Sequence, residues 1–292
     1  MDNPIGIFDS GVGGLTVLRE MRKQMPHENL VYFGDTARAP YGGKSTETLI
    51  NHGREIMNFF VRKKVKAVVI ACGTSSSTSF ETLRAEFSGL PIIDTIRPAV
   101  SEISKLFEAN KIIRTNGNIF EEKNHKTKNN SKHNTNNSES EKIFKPVFIA
   151  TEATIRSGLF ARLLAENSPE IELQTRACPL FAPMVEAGFS DHPFTIFAAQ
   201  NYLADLRGKV NALIFGCTHY PLLAGALTRV LGEIEFIDPA VATVLHAKKI
   251  FVPTNSKSPP KIKFFTSGDP KKFSAAAKII LNEKISARKA SF

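Results

Sequence analysis

Two of the three cysteines, Cys72 and Cys217, each follow a short apolar run and open the sequences CGT and CTH. A thiol has a pKa of about 8.5, and it becomes a base near neutral pH when a helix N-terminus or a neighbouring group stabilises the thiolate. Inverting an α-carbon requires one group that removes a proton from one face and a second, protonated group that returns one to the other face. A pair of thiols at equivalent places therefore predicts racemisation or epimerisation.

Ionisable side chains accompany both thiols. Asp9 precedes Cys72 by 63 residues, and Glu152 precedes Cys217 by 65 residues. His219 lies two residues after Cys217 and could hold or relay its proton, and Asp9 or Glu152 could do the same if the fold brings them close. We therefore take Asp9, Glu152 and His219 as candidate catalytic residues beside the thiols.

Each candidate also has an ordinary structural interpretation. Asp9 could cap the turn that follows it, and Glu152 could be a carboxylate favoured by the first turn of a helix. His219 could be a core histidine with satisfied hydrogen bonds, and Tyr41 could simply pack in a loop. Cys178, between alanine and proline, is best interpreted as a small buried apolar residue.

Short apolar runs that end in glycine or aspartate alternate with amphipathic stretches along the chain, a pattern typical of buried parallel strands and the helices that cover them. The predicted strands are Ile5–Phe8, Leu30–Phe33, Ala67–Ala71, Pro91–Asp94, Pro146–Ala150, Ile171–Arg176, Ala212–Phe215 and Glu235–Ile237. The predicted helices are Leu15–Gln24, Thr46–Lys63, Ser76–Phe87, Glu152–Glu166, Pro193–Arg207 and Phe273–Leu281.

The alternation occurs twice, and each time a carboxylate and a thiol follow strand ends. Ligands bind at the carboxyl ends of the strands in open α/β sheets. The sequence therefore predicts an α/β protein with two similar open parallel-sheet lobes that face one cleft. We place lobe A at 1–98 plus 243–292 and lobe B at 99–242.

The 292 residues carry a formal charge of +10, which raises the question of an acidic partner. Residues 248–292 hold 11 Lys or Arg against 2 acids, and residues 111–145 hold 8 against 4, so the charge is peripheral. Residues 114–145 are rich in Asn, Lys, Ser and Glu, which predicts a low-complexity insertion. Because Phe120 and Phe144 lie near the two ends of this segment and its basic residues are not interleaved with aromatic ones that could stack on bases, we do not expect a nucleic-acid partner.

No apolar stretch approaches the 18 or more residues that cross a bilayer, and the N-terminal sequence MDNPIGIF does not resemble a signal peptide. We therefore expect a cytoplasmic protein without membrane contact. Three scattered cysteines indicate neither a disulfide framework nor a clustered zinc site. We expect no metal and no cofactor.

Several segments resemble glutamate racemase of the aspartate/glutamate racemase superfamily. They are IGIFDSGVGGLTVL at 5–18, VYFGDTARAPYGGKS at 31–45, VVIACGTSSS at 68–77, ATEATIRSG at 150–158, ACPLFAPMVEAG at 177–188, ALIFGCTHYPLL at 212–223 and FTSGDP at 265–270. The resemblance covers the chain apart from the insertion and a few terminal residues. It implies a cofactor-independent isomerase that interconverts L- and D-glutamate and supplies D-glutamate for peptidoglycan.

Carried over residue by residue, the resemblance makes Cys72 the thiol that acts on D-glutamate and Cys217 the thiol that acts on L-glutamate. It associates Glu152 with the second thiol. The positions that match substrate contacts in the family are Asp9, Ser10, Tyr41, Gly42, Gly73, Thr74, Thr218 and His219. One position departs from the pattern, because the family usually has Asn-Thr after the first cysteine and this chain has Gly73 before its threonine. A side-chain amide contact to substrate is therefore absent, which affects affinity more than reaction type.

Two alternatives stay open at this point. One is aspartate racemisation by a member of the same superfamily, which the glutamate-type motifs disfavour. The other is a binding role such as inhibition of DNA gyrase, which the lysine-rich C-terminal segment would suit. The resemblance also implies a homodimer, as in many relatives, and leaves any allosteric activator undetermined.

Overall fold

The computed structural model describes residues 3–122, 144–254 and 259–290. Its strands in chain order are β1 Ile5–Asp9, β2 Leu30–Gly34, β3 Ala67–Ile70, β4 Ile92–Ile93, β5 Pro146–Ala150, β6 Gln174–Ala177, β7 Ala212–Phe215, β8 Glu235–Ile237, β9 Ile262–Thr266 and β10 Ala287–Lys289. They form two sheets in which every pair is parallel. Sheet A has the order β10-β9-β2-β1-β3-β4, and sheet B has the order β6-β5-β7-β8.

Helices connect the strands and cover both faces of the sheets. They are α1 Leu15–Gln24, α2 Thr46–Arg62, α3 Gly73–Thr78, α4 Phe80–Glu86, α5 Ile96–Glu122, α6 Glu152–Ser157, α7 Leu159–Asn167, α8 Phe181–Glu186, α9 Pro193–Leu203, α10 Ala224–Leu231, α11 Pro239–Ile250 and α12 Pro270–Leu281. Two short 3₁₀ turns, Ala204–Leu206 and Tyr220–Leu223, complete the second half. The predicted class, two open parallel-sheet lobes, is confirmed.

The apolar strands are buried on both faces, as parallel strands covered by helices must be. In β1, Ile5 and Ile7 belong to one apolar cluster, and Phe8 belongs to a second cluster on the opposite face. In β5 the same division separates Val147 from Phe148. Each sheet is thus the middle layer of its own three-layer unit.

Two predicted helices are each two helices in the structure. The helix predicted over Ser76–Phe87 begins earlier, at Gly73, and divides at Ser79. The division lies within a run of Ser and Thr hydroxyls that donate to backbone carbonyls one turn earlier, such as Ser79 to Ser75 O at 2.9 Å. The stretch 152–167 divides at Gly158, whose φ of +63° is left-handed and favours glycine. The strand predicted from Ile171 begins at Gln174.

Sheet A takes strands from both ends of the chain, and sheet B takes all its strands from between them. The predicted lobe limits at 98 and 242 fall inside α5 and α11, which pack against each other. These limits stay predictions. Residues 114–122 of the predicted insertion continue α5, and residues 123–143 lie outside the described residues.

Candidate active site

A cavity of about 220 Å³ lies between the carboxyl ends of the two sheets. Its lining residues come from both sheets: Ser10, Thr36, Ala39, Pro40, Tyr41, Gly42, Cys72 and Thr74 from loops of sheet A, and Thr151, Ala182, Pro183, Glu186, Cys217, Thr218 and His219 from loops of sheet B. Both thiols line this one cavity. The parallel strands explain the meeting, because their carboxyl ends lie at the same edge of each sheet.

Cys72 follows β3 and caps the N-terminus of α3, where it is 4% exposed. Burial raises the pKa of its thiol to about 11, and the negative charge of Asp9 adds to this shift. Asp9 itself is fully buried and accepts hydrogen bonds from Gly11 N at 2.9 Å and Thr218 Oγ1 at 3.0 Å. Burial raises the pKa of Asp9, while the charge of His219 and both hydrogen bonds oppose that shift. The surroundings of Cys72 therefore favour the protonated thiol.

Cys217 follows β7 and is more exposed than Cys72. Its Sγ lies 3.7 Å from Nδ1 of His219, whose Nε2 donates to Oε1 of Glu186 at 2.7 Å. Burial alone would lower the pKa of His219, but the hydrogen bonds to Cys217 and Glu186, together with the charges of Cys217 and Asp9, raise it well above its ordinary value. Burial raises the pKa of Glu186, and the larger combined effect of His219 and the Val12 N–H lowers it. The three groups form a chain that favours an imidazolium beside Cys217.

Glu152, predicted as the carboxylate associated with the second thiol, does not lie in the cavity. It is exposed in the first turn of α6, where a carboxylate is favoured by the helix N-terminus. Glu186, at the end of α8, lines the cavity instead, with its side chain 29% exposed. The role of Glu152 therefore stays a prediction, and in this structure its side chain lies at the surface, in the first turn of the helix that follows β5. Glu186 lies in ACPLFAPMVEAG, one of the segments that carried the resemblance.

The structure brings most of the predicted contact residues to the cavity. Ser10, Tyr41, Gly42, Thr74, Thr218 and His219 all line it. Gly73 does not, since it lies in the wall behind Cys72 and lines a second, small apolar cavity of about 20 Å³. Thr151 was not predicted, yet its Oγ1 lies 2.9 Å from Oγ1 of Thr74 and joins the two sheets at the cavity.

Tyr41 is held from behind by a buried carboxylate. Its hydroxyl donates to Asp35, which also accepts from Nε of Arg38 at 2.7 Å and from Ser267 Oγ at 2.6 Å. Ser267 Oγ in turn accepts from Ala37 N at 3.0 Å. Burial and the charge of Asp35 raise the pKa of Tyr41 well above its ordinary value, so the tyrosine is a neutral donor. The FTSGDP segment thus supports the loop that lines the cavity.

Within 3–122, 144–254 and 259–290, no three His, Cys, Asp or Glu side chains come together as metal ligands would. In that part of the chain, every helix is too short or too polar to cross a bilayer.

The chain is similar to known proteins over most of its length. No protein-family model matches it. It is 36% identical over 261 residues to the glutamate racemase of Geobacter metallireducens, covering 87% of this chain and 84% of the relative. It is 37% identical over 267 residues to the glutamate racemase of Persephonella marina, covering 91% and 89%.

A solved structure agrees with these relatives. The glutamate racemase of Francisella tularensis, in complex with D-glutamate, is 28% identical and superposes with a TM-score of 0.81, covering 99% of this chain and 98% of that one. The resemblance carried by the sequence segments is therefore confirmed. With this similarity over nearly its whole length and two thiols on one cavity, the chain belongs to the glutamate racemase family, whose members are isomerases that racemise an amino acid.

Proposed function

We propose that the chain interconverts L- and D-glutamate by proton transfer between the α-carbon and two thiols, Cys72 and Cys217. The observation that carries the proposal is that thiols from different sheets line the same cavity. Glutamate as substrate is supported by the D-glutamate bound to the similar Francisella tularensis enzyme. The product D-glutamate would supply peptidoglycan synthesis, as the family implies.

In the L-to-D direction, the Cys217 thiolate removes the α-proton and becomes a thiol. The imidazolium of His219, held by Glu186, stabilises that thiolate before the reaction. Cys72 then gives its own proton to the opposite face of the planar carbanion and becomes a thiolate. Its raised pKa of about 11 keeps that proton in place at neutral pH until the carbanion forms.

In the D-to-L direction, the same groups exchange roles. Cys72 removes the α-proton as the thiolate that the first direction produced, and Cys217 donates. Each turnover leaves one thiol newly protonated and the other as a thiolate, so the proton must return to its first position before the same direction can run again. Hydrogen bonds from Ser75 favour the Cys72 thiolate, which burial and the charge of Asp9 make harder to form.

Hydroxyl groups at the cavity suit an amino-acid substrate. Thr218 Oγ1 donates its proton to Asp9, so its lone pairs are left to accept from an ammonium group. Ser10, Thr74 and Thr151 supply hydroxyls that can donate to carboxylates. We assign Thr218, Ser10, Thr74 and Thr151 to substrate binding. We assign the two thiols, His219 and Glu186 to proton transfer. Asp9 accepts the hydrogen bond of Thr218 and so orients a binding residue.

Chiral analysis of glutamate incubated with the purified protein in deuterated water tests the proposal. The expected result is conversion in both directions with solvent deuterium at the α-carbon of the inverted product, without added pyridoxal phosphate and in the presence of a chelator. Aspartate in a parallel incubation tests the alternative substrate. Inversion without deuterium uptake, or a requirement for metal or pyridoxal phosphate, would contradict the two-thiol assignment.

The cytoplasmic location, the homodimer, the lobe limits and the independence from cofactors stay predictions. So does the binding alternative, inhibition of DNA gyrase, which would be tested by assaying both activities after neutralising lysines of the C-terminal segment.

A further inference from the structure

The two cysteine loops touch through glycine. Gly73 directly follows Cys72, and Gly216 directly precedes Cys217. A Cβ atom built on Gly73 would lie 2.0 Å from the carbonyl oxygen and 3.0 Å from the carbonyl carbon of Gly216. Ordinary contact of a Cβ begins at 3.4 Å. The backbone that leads into Cys217 therefore occupies the space that any side chain at position 73 would need.

Other glycines of sheet A also face sheet B, but their neighbours can move. A Cβ on Gly11 would meet the carboxylate of Glu186 at 2.0 Å, and one on Gly13 would meet the ring of His219 at 2.4 Å. Both are ends of side chains that can change rotamer. At Gly73 the obstacle is backbone, so relief requires the whole Cys217 loop to move.

The Cys217 loop is not alone in joining the sheets. Ala153 N donates to Gly42 O at 2.9 Å, and Thr218 Oγ1 donates to Asp9 at 3.0 Å. These contacts hold the two sheets together around the cavity on either side of Gly73. A side chain at 73 would therefore act as a wedge between the sheets, and the loops would have to separate by roughly 1 Å or more to restore ordinary contact.

We propose that Gly73 is a positioning residue, which sets the separation of the two thiols by letting the backbone of the Cys217 loop lie against its own. The inference rests on the proposed function. A displacement of about 1 Å between reacting groups can lower a rate by about 100-fold. The absence of a side chain at 73 is thus part of how this chain brings its second thiol to the substrate.

The structure reverses the effect that the sequence predicts for asparagine at position 73. The family pattern has asparagine at this place, so introducing it should improve affinity if the missing amide is the only difference. In this structure asparagine has no room without separating the sheets. We therefore expect Gly73→Asn to lower turnover further than Gly73→Ala does.

The experiment compares Gly73→Ala and Gly73→Asn with the control Gly89→Ala, a position where no described heavy atom lies within 4 Å of the added Cβ. We expect kcat to fall about 10- to 100-fold for alanine and more for asparagine, with a smaller change in KM. The control should keep the kcat of the unaltered protein. Melting temperatures should fall modestly relative to the control, because the wedge strains the contacts between the sheets while each sheet keeps its own apolar core.

Deuterium exchange supplies a readout that instability would not move. In deuterated water, a carbanion formed by Cys217 but out of reach of Cys72 is re-protonated on the face it came from, after the Cys217 S–H exchanges with solvent. The ratio of deuterated L-glutamate recovered to D-glutamate formed should therefore rise in Gly73→Ala.

Normal kcat and normal exchange ratio in Gly73→Ala would overturn the inference while leaving the proposed function intact, provided that Cys72→Ser is inactive. A Gly73→Ala protein that unfolds would also overturn it, because the wedge would then act on folding and not on the cleft. No racemisation by the unaltered protein would overturn the proposed function itself.

Discussion

The two thiols occupy equivalent places in two sheets but differ in their surroundings. Cys72 and Cys217 each lie two residues after a central strand, β3 in sheet A and β7 in sheet B. Beside Cys72 the nearby charge is a carboxylate, Asp9, and burial keeps the thiol protonated. Beside Cys217 stands an imidazole that Glu186 holds in place. The repeated fold places the thiols, and the side chains around each thiol differ between the two sheets.

The difference between the surroundings of the two thiols cannot appear as a difference in kcat/KM between the two directions. L- and D-glutamate have the same free energy, so the equilibrium constant is one and kcat/KM must be equal in the two directions for any variant. Asymmetry between the two thiols therefore shows in which proton transfer limits the rate. Primary isotope effects with α-deuterated L- or D-glutamate report the step at Cys217 or at Cys72, respectively.

The largest effect is expected from removing either thiol. A serine hydroxyl is a far weaker acid than a thiol, so Cys72→Ser and Cys217→Ser should each lower kcat/KM by about 10²- to 10⁴-fold in both directions. Steady-state rates by chiral analysis measure this. Cys178→Ser is the matched control, since Cys178 is fully buried in the core cluster of sheet B.

Near-normal turnover in Cys72→Ser or in Cys217→Ser would contradict the assignment of two catalytic thiols. It would mean that one thiol is not needed, and His219 or Asp9 would have to be tested as the missing base. A large loss of activity in Cys178→Ser without loss of folding would equally contradict the assignment.

Glu186 gives a sharper test of the Cys217 side. Replacing it by glutamine removes the carboxylate hydrogen bond that helps to raise the pKa of His219, and a change of one pKa unit corresponds to about tenfold in rate. We expect Glu186→Gln to lower kcat/KM about tenfold, to raise the isotope effect with α-deuterated L-glutamate and to lower it with D-glutamate. Glu152→Gln, an exposed carboxylate in a helix, is the control and should change neither.

Equal changes in both isotope effects would show that Glu186 does not act through Cys217. A loss in Glu152→Gln as large as in Glu186→Gln would restore the sequence-based assignment.

The contrast between Glu186 and Glu152 also shows which site residues a local sequence pattern can identify. Asp9, Cys72 and Cys217 were found because a strand end followed by a chemical group is a local pattern. Glu186 sits at the end of a six-residue helix, 31 residues from Cys217, and no local pattern marks it. Its role depends on a hydrogen bond to His219 across the fold. The analogy between the two halves favoured Glu152, since it assumed that the charges repeat as the strands do.

Most of the fold was within reach because buried parallel strands leave continuous apolar runs. The bounds of α1 and β5 match the predictions, Leu15–Gln24 and Pro146–Ala150. Breaks at Ser79 and Gly158 were missed, because both interrupt amphipathic stretches whose period continues through them. Strand β6 was placed early at Ile171, since its own residues are polar and half-exposed.

The charge beside Cys72 provides the third test. As the acid, Cys72 must be protonated, so its contribution to kcat/KM falls as pH rises through a pKa of about 11. Asp9 raises that pKa, so Asp9→Asn should move the alkaline limb of the profile to lower pH, by about one unit if its charge is worth about 1.4 kcal/mol. Because the substrate amine titrates identically in both proteins, the shift between the two profiles reports the groups whose pKa the charge of Asp9 raises, which are Cys72 and His219. A shift to higher pH would contradict the assignment of the acid.

The smallest effect is expected behind Tyr41, on the side of Cys72. Tyr41 packs with Cys72 and is fixed by Asp35, to which Ser267 donates at 2.6 Å. Ser267→Ala removes one hydrogen bond to a buried carboxylate, a loss of about 1.5–3 kcal/mol shared between stability and loop position, so KM should rise less than tenfold with kcat nearly unchanged.

Ser274→Ala is the matched control for this change, because Ser274 also makes two hydrogen bonds, to Pro270 O at 2.7 Å and from Ala287 N at 3.1 Å, away from the cavity. Both variants should lose stability, and only Ser267→Ala should raise KM. Equal KM values in the two variants would mean that the FTSGDP segment supports the fold alone. A rise in KM confined to Ser267→Ala would instead show that the loop beside Cys72 is held in place by the C-terminal segment through Asp35. Beside Cys217, by contrast, the hydrogen-bonded groups His219 and Glu186 both come from the part of the chain that forms sheet B.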